Sequence, residues 1–401
     1  MSRMLLAWEL GTGFGHIGPF LGLVPRLLER GHELHIAARE IAGACRAVGG
    51  LPVAVHQAPL CLNTYGGLQE PPLNYAEILM RYGYLDVAML RAMLAAWISL
   101  LRATRADIVI ADHAPTALLA ARVLNLPCAV IGSPFSVPPA LHPTPNMRAW
   151  LDVPPARLMD SDTKVLATIN AVLPAGSRPV TAIHQLFDQA AAFFMGVPET
   201  DCYGPRASPT YLGPAASGTG TAQPVWPEGA GRRVFAYLNA DYPHLGAVVR
   251  ALAASGARVI SFVGADKKLQ EHFQKPGMVA VTDLVDTRRV LAEADLCITH
   301  GMGTTLAAVG AGVPLLMLPK HLENYLFALA LQQVGVGKAV HPEEASPDIE
   351  AVLGSLFRDD GYARSAQALA ARYREPSVGT ITALAVARME ALAASPQEKR
   401  A

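Results

Sequence analysis

Little in this chain points to metal, disulfide or nucleic-acid chemistry. Five cysteines (Cys45, Cys61, Cys128, Cys202, Cys297) are scattered, odd in number and never at Cys-x-x-Cys spacing. Neither a zinc knuckle nor a disulfide framework is indicated, and the cytoplasm is the expected compartment. Neither charge is in excess: Lys+Arg and Asp+Glu number 33 each. A nucleic-acid partner normally needs a basic patch, so none is expected. Long apolar runs are also missing. The start, Met4 to Trp8, is broken by Glu9 and then by glycines, too short for the apolar region of a signal peptide. The most apolar later stretch, Leu79 to Leu101, is interrupted by Arg81, Asp86 and Arg91. It reads as an amphipathic helix pair, with Trp97 in a core or pocket wall, rather than as a membrane span or membrane-surface element. No short internal repeat occurs.

What is present is alternation. With 401 residues, 51% of them hydrophobic, two domains each with a core are the default. The first half reads strand, turn, helix repeatedly. Strands are expected at Met4–Leu10, Leu34–Ala38, Asp107–Ala111 and Cys128–Gly132, with one helix from about Ile17 to Arg30 and another that follows Asp112 and runs to Leu124. This pattern predicts a parallel sheet flanked by helices. Residues 133–160, rich in proline and polar breakers, read as a long functional loop. The stretch from Gly213 to Arg233, including Ser217, Gly218 and Thr219, reads as a linker. The pattern then restarts, with strands at Val234–Leu238, Arg258–Val263, Met278–Thr282, Leu296–Thr299 and Val313–Leu318. From Ala363 to Ala394 the chain is Ala-rich and helical, with a break near Pro376. The expected division is 1–212 and 233–380 as two α/β domains, 213–232 as linker, and 381–401 as a C-terminal helix and tail.

The most informative stretch is Cys297-Ile-Thr-His300-Gly-Met-Gly-Thr-Thr305, continuing through Gly312-Val-Pro314 to Pro319-Lys-His-Leu-Glu323-Asn324. A strand end is followed by small residues and a helical pattern from about Thr304. A helix start there aims N–H groups and a positive dipole end over the strand, which suits phosphate. A carboxylate beside a carboxamide after the next strand suits hydroxyls. Together they fit a nucleotide-sugar.

Near the start, Gly13-x-Gly15-x-x-Gly18 formally matches a dinucleotide fingerprint, but Glu40 lies two residues beyond the place of the acid that such a fingerprint wants. The distinctive residue is His16, at a strand-to-helix junction where ligands bind. It reads either as a general base or as a structural histidine holding the loop. Asp112, ending another strand, reads either as its orienting partner or as the cap of the following helix. His113 competes for both roles. Asp160-Ser161-Asp162 has the form of a D-x-D metal motif but reads as a solvated loop or helix cap, and no metal is assigned.

With these residues placed, the chain resembles the GT-B-fold, inverting family-1 glycosyltransferases, of the UDP- and macrolide-glycosyltransferase type. Gly-x-Gly-His16-Ile-Gly-Pro19 with Leu27-Leu-Glu-Arg-Gly-His-Glu33 resembles the acceptor-domain opening, and Asp107-Ile-Val-Ile-Ala-Asp112 the strand bearing the histidine's aspartate. Tyr211-Leu-Gly-Pro214 resembles that domain's end, and the 295–324 segments resemble the donor signature. The resemblance implies an α/β protein of GT-B architecture, with two Rossmann-like doubly wound domains facing across a cleft. It implies His16 and Asp112 as catalytic pair. It implies donor binding by Gly13, Asn239, Leu284, Thr299, His300, Gly301, Gly303, Thr304, Thr305, Glu323 and Asn324. A UDP- or dTDP-linked hexose would be co-substrate, with a small apolar or aromatic acceptor and neither cofactor nor metal. Natural-product biosynthesis is the implied context, and a homodimer is compatible with it.

The chain departs from the pattern at several places. Thr299 stands where the donor histidine usually stands, and His300 follows one place later. Ala307 replaces a glutamate, Glu323-Asn324 replaces Asp-Gln, and Leu238-Asn239-Ala240 replaces a Gly-Ser loop. Leu284-Val285 corresponds to the nucleobase-binding stretch. Two other classes stay open: a non-catalytic nucleotide-sugar-binding protein, suggested by Thr299 and Ala307, and an NAD(P)-dependent dehydrogenase, suggested by the 13–18 glycines.

Overall fold

A computed structural model describes residues 1–206, 208–214, 220–374 and 377–395. The middle of the expected linker (215–219), the expected break at Pro376 and the last residues of the expected tail lie outside the described residues. The chain divides into two compact units. The first comprises Met1–Met195, Arg206–Tyr211 and Gly379–Ala401, and the second Gly196–Pro205 and Leu212–Val378.

The first unit is built on seven parallel strands: β1 (Arg3–Trp8), β2 (Glu33–Ala38), β3 (Val53–Gln57), β4 (Ile108–Asp112), β5 (Cys128–Gly132), β6 (Ala190–Phe194) and β7 (Thr210–Tyr211). Their order is β3-β2-β1-β4-β5-β6-β7. The second unit has β8 (Arg233–Tyr237), β9 (Arg258–Phe262), β10 (Met278–Val281), β11 (Leu296–Thr299), β12 (Leu315–Met317) and β13 (Gly337–Ala339), in the order β10-β9-β8-β11-β12-β13. Both are doubly wound. The order reverses between β1 and β4, and again between β8 and β11, and right-handed crossovers then send helices to opposite faces. Central strands are buried on both faces. Met4, Leu5, Leu6 and Ala7 of β1 and Ile108, Val109 and Ile110 of β4 are fully buried, which is why they read as continuous apolar runs.

Four strands go beyond those the sequence pattern predicts: β3, β6, β7 and β13. β6 is Ala-Ala-Ala-Phe-Phe, whose alanines favour helix until pairing with β5 overrides them. β13 is short and begins at Gly337, where a Cβ would lie 2.1 Å from the Leu315 carbonyl oxygen. Trp97, expected in a core or pocket wall, is fully buried in the helix Val87–Ala103 and belongs to the core.

The 133–160 segment is not wholly loop. The helix Pro155–Val172 begins inside it and contains Asp160-Ser161-Asp162. The solvated reading of Asp162 is therefore corrected: its side chain is fully buried and accepts from the Thr144 N–H (2.8 Å) and hydroxyl (3.0 Å), with His142 Nδ1 at 3.1 Å. Arg157 on the same helix grips Glu77 through Nε (2.7 Å) and Nη2 (2.8 Å). Breakers made the segment look loose, and a buried carboxylate holds it. The last helix, Val378–Ala394, returns to the first unit, where Glu390 accepts from Arg30 Nε (2.6 Å) and pairs with His32 Nε2 (2.8 Å). Among the described residues, no helix is long and apolar enough to cross a membrane.

Candidate active site

In the first unit, functional side chains gather where the strand order reverses. Trp8 and Asp112 are register partners at the ends of β1 and β4. The chain leaves β1 through Glu9 and Leu10, turns at Gly11 (φ +77°) and Gly13 (φ +84°), and forms a short 3-10 turn at Phe14–His16 before the helix Gly18–Glu29. That path carries the His16 ring back over the sheet edge. Its Nδ1 lies 3.2 Å from Asp112 Oδ1, joining residues 96 apart in sequence. The two side chains are only 12% and 3% exposed. Trp8 stacks on the His16 ring at 5.6 Å.

Two glycines make room for this pair. A Cβ at Gly11 would lie 2.0 Å from His16 Nε2, and a Cβ at Gly132 (φ +106°) would lie 2.8 Å from the Asp112 carboxyl carbon. Both positions also need a backbone conformation that side chains disfavour. Asp112 Oδ1 accepting from Nδ1–H leaves the lone pair of the neutral imidazole on Nε2.

The helix-cap alternative for Asp112 fails. The helix Pro115–Val123 has Ala114 at its N-cap with no side-chain cap bond. The carboxylate serving that helix start is Glu9, which no motif pointed to. It is fully buried, accepting from the Thr116 N–H at 2.9 Å and the Thr116 hydroxyl at 2.6 Å. Burial pushes its pKa up to about 7, against the lowering effect of the Thr116 bonds. An acid ending an otherwise apolar strand was the available signal. His113, the rival base, has φ +47° and a ring set among His16 (6.0 Å), Tyr75 (5.8 Å) and Phe135 (6.4 Å). Burial first, then the charges of His16 and Arg39, push its pKa down to about 3. So weak a base favours His16 for proton removal. Gly13, a donor-binding candidate, belongs to this unit and gives its N–H to Glu40 at 3.2 Å.

In the second unit the remaining candidates follow the ends of β8, β11 and β12, except Leu284, which follows the edge strand β10. Thr299 closes β11 and is buried, its hydroxyl accepting from the Gly301 N–H at 3.3 Å. The helix Met302–Ala311 starts two residues earlier than expected, with Gly301 at its N-cap and no side-chain cap. The first-turn N–H groups of Met302 and Thr304 have no acceptor within the helix, by helix geometry. The Thr305 hydroxyl donates to the Gly301 carbonyl at 2.7 Å, so it holds the helix start rather than facing outward. Gly303 is exposed on that first turn.

His300 turns inward. Its Nδ1 donates to the Leu318 carbonyl at 2.6 Å, its ring packs 4.8 Å from Tyr242, and Nε2 is buried without a hydrogen-bond partner among the described residues. Burial pushes its pKa down to about 4. A neutral ring with Nδ1–H engaged offers only a lone pair at Nε2, the wrong polarity for a phosphate. Asn239 is exposed just past β8, beside a cavity of about 540 Å³ walled by the stacked Tyr237 and Phe262 rings (5.0 Å apart) and Lys268. Leu284 is 59% exposed, and its carbonyl accepts from Ala222 N–H at 3.0 Å. Glu323 and Asn324 sit half-buried in the first turn of the helix Leu322–Gln333, and neither side chain is hydrogen-bonded among the described residues.

Known proteins similar to this chain include glycosyltransferases. Residues 247–384 match the family described as Erythromycin biosynthesis protein CIII-like, C-terminal domain. The NDP-glycosyltransferase YjiC of Bacillus subtilis (strain 168) is 23% identical over 364 residues, 83% of each chain. Among solved structures, the calicheamicin glycosyltransferase CalG4 has a TM-score of 0.67 at 21% identity, covering 98% of this chain and 99% of that one. The glycosyltransferase VinC, solved in complex with dTDP, also has a TM-score of 0.67, at 18% identity over 98% and 99% of the chains.

Proposed function

This chain is a GT-B-fold NDP-glycosyltransferase of the family-1, natural-product type, and on that premise we propose how it works. It moves a hexose-type sugar from a UDP- or dTDP-linked donor to a hydroxyl of a small apolar or aromatic acceptor, inverting the anomeric carbon. The observation that carries this reading is the His16 Nδ1–Asp112 Oδ1 contact of 3.2 Å at the β1/β4 reversal. Nε2 takes the proton of the acceptor hydroxyl as its oxygen attacks the anomeric carbon. The sugar–phosphate bond breaks, and its electron pair leaves with the nucleoside diphosphate. Asp112 offsets the charge that the imidazole gains, as in other base–orienter pairs.

The leaving group is met by the start of the helix Met302–Ala311, whose N–H groups and dipole favour an anion, so the reading needs no metal. Glu323 and Asn324 read the sugar's hydroxyls. The rings of Trp8, His113, Tyr75 and Phe135 are buried behind His16; the likeness to the calicheamicin glycosyltransferase CalG4 supports a small natural-product acceptor. The dTDP bound to VinC supports a dTDP-linked donor, with UDP the alternative. Incubation with UDP- and dTDP-glucose and a set of phenols, followed by NMR of the product's anomeric centre, tests the proposal. Inverted product is expected. Retained configuration would refute His16 as the base in a single displacement, and no transfer from either donor would refute the donor class.

A further inference from the structure

The usual donor histidine is a threonine here, and the neighbouring His300 is neutral and turned inward, so the start of the helix Met302–Ala311 lacks a cationic imidazole. A different cation stands nearby. Lys320 follows β12, and its Nζ lies 2.5 Å from Oδ2 of Asp241, which follows β8. In the sheet, β8 and β12 flank β11 on its two sides, with Thr299 in register with Tyr237 and Met317. Neighbouring strands lie about 4.8 Å apart. A bridge from the β12 side to the β8 side therefore crosses the carboxyl end of β11, where that helix begins. Tyr242, next to Asp241, already leans onto His300.

The bridge is lopsided. The Lys320 side chain is 19% exposed and the Asp241 side chain 70%. Among the described residues, the ammonium's hydrogen-bond partner is Asp241 alone, although an ammonium carries three donors. A largely buried cation is thus held by one loose carboxylate, near enough to His300 for both charges to act on its ring.

We propose that Lys320 binds the donor's diphosphate, and that Asp241 holds its place in the free protein until the diphosphate displaces it. This rests on the nucleotide-sugar reading. A diphosphate offers the ammonium several oxygens in place of one carboxylate, and the helix start adds its own donors to the same anion. Asp241 is then a competitor for the cation, so removing its charge should help the ligand.

Calorimetric titration of the full chain with UDP and with dTDP tests this on wild type, Lys320→Met, Lys320→Arg and Asp241→Asn. Losing a charged hydrogen bond should weaken both nucleotides about ten-fold or more in Lys320→Met. Lys320→Arg should stay within about three-fold of wild type, since the charge is kept. Asp241→Asn should bind about three-fold tighter, the scale of a partly exposed pair. A bridge that is only structural predicts small, similar falls in melting temperature for Lys320→Met and Asp241→Asn with unchanged affinity. Lys320→Met within two-fold of wild type, or Asp241→Asn binding more weakly, overturns the proposal alone. Wild type binding neither nucleotide overturns the donor reading and this proposal with it.

Discussion

Gly11→Ala should disable the enzyme while leaving it folded, and Gly31→Ala shows why. Both glycines have nearly the same left-handed backbone, φ +77° and +79°. An alanine in that region costs roughly 1–2 kcal/mol in either place. A Cβ at Gly31 meets nothing within 4 Å, whereas a Cβ at Gly11 lies 2.0 Å from His16 Nε2. Real Cβ contacts essentially never fall below 3.0 Å, so the imidazole must retreat by about 1 Å or more. A misplacement of about 1 Å can cost on the order of 100-fold in rate, and full loss of the base about 100- to 10,000-fold. The displaced atom is also the one carrying the lone pair. The two variants should therefore melt within a few degrees of each other and below wild type, while turnover collapses only in Gly11→Ala. Melting temperature and initial rate, measured on the same preparations, decide it. If Gly11→Ala turns over within a few-fold of Gly31→Ala, His16 Nε2 is not where the acceptor's proton goes.

Asp112→Asn should lower turnover on the order of 1,000-fold with little change in melting temperature, since no helix cap is lost; a large fall in stability with normal turnover would restore a purely structural role. Glu9 is raised to about 7 from an ordinary 4.5, so the folded state holds its proton more tightly than the unfolded chain. Its contribution is fully present below pH about 4.5 and lost as pH rises through about 7, up to ~3 kcal/mol, and Glu9→Gln should flatten that part of a stability-versus-pH curve measured by urea unfolding. Glu323→Ala should weaken the intact sugar donor far more than the free nucleoside diphosphate, whereas Thr304→Val at the helix start should weaken both alike; equal losses of the two ligands in Glu323→Ala, by calorimetry, would remove that carboxylate from sugar recognition.

The sequence by itself determined the class of architecture. Apolar runs bounded by glycines and turn residues mark β5 and β11 to the residue, and most of the other central strands within a few residues, because strands buried on both faces must be apolar throughout. Glycines before His16 signal a tight turn at a ligand edge for an equally local reason, their access to positive φ. Tertiary structure alone decided which of these pieces meet. Strand order brings His16 to Asp112 rather than leaving Asp112 to cap its own helix, and it hands that task to Glu9, a neighbour of Thr116 only through the sheet. Burial decided that His113 and His300 stay neutral, and that Asp162 is an anchor rather than a solvated loop acid. The edge strands β3, β7 and β13, and the alanine-rich β6, were illegible because pairing, not composition, makes them strands. Propensity is a property of neighbours along the chain. Hydrogen bonding, desolvation and charge at a site depend on neighbours in space, and the winding of the sheets chooses those.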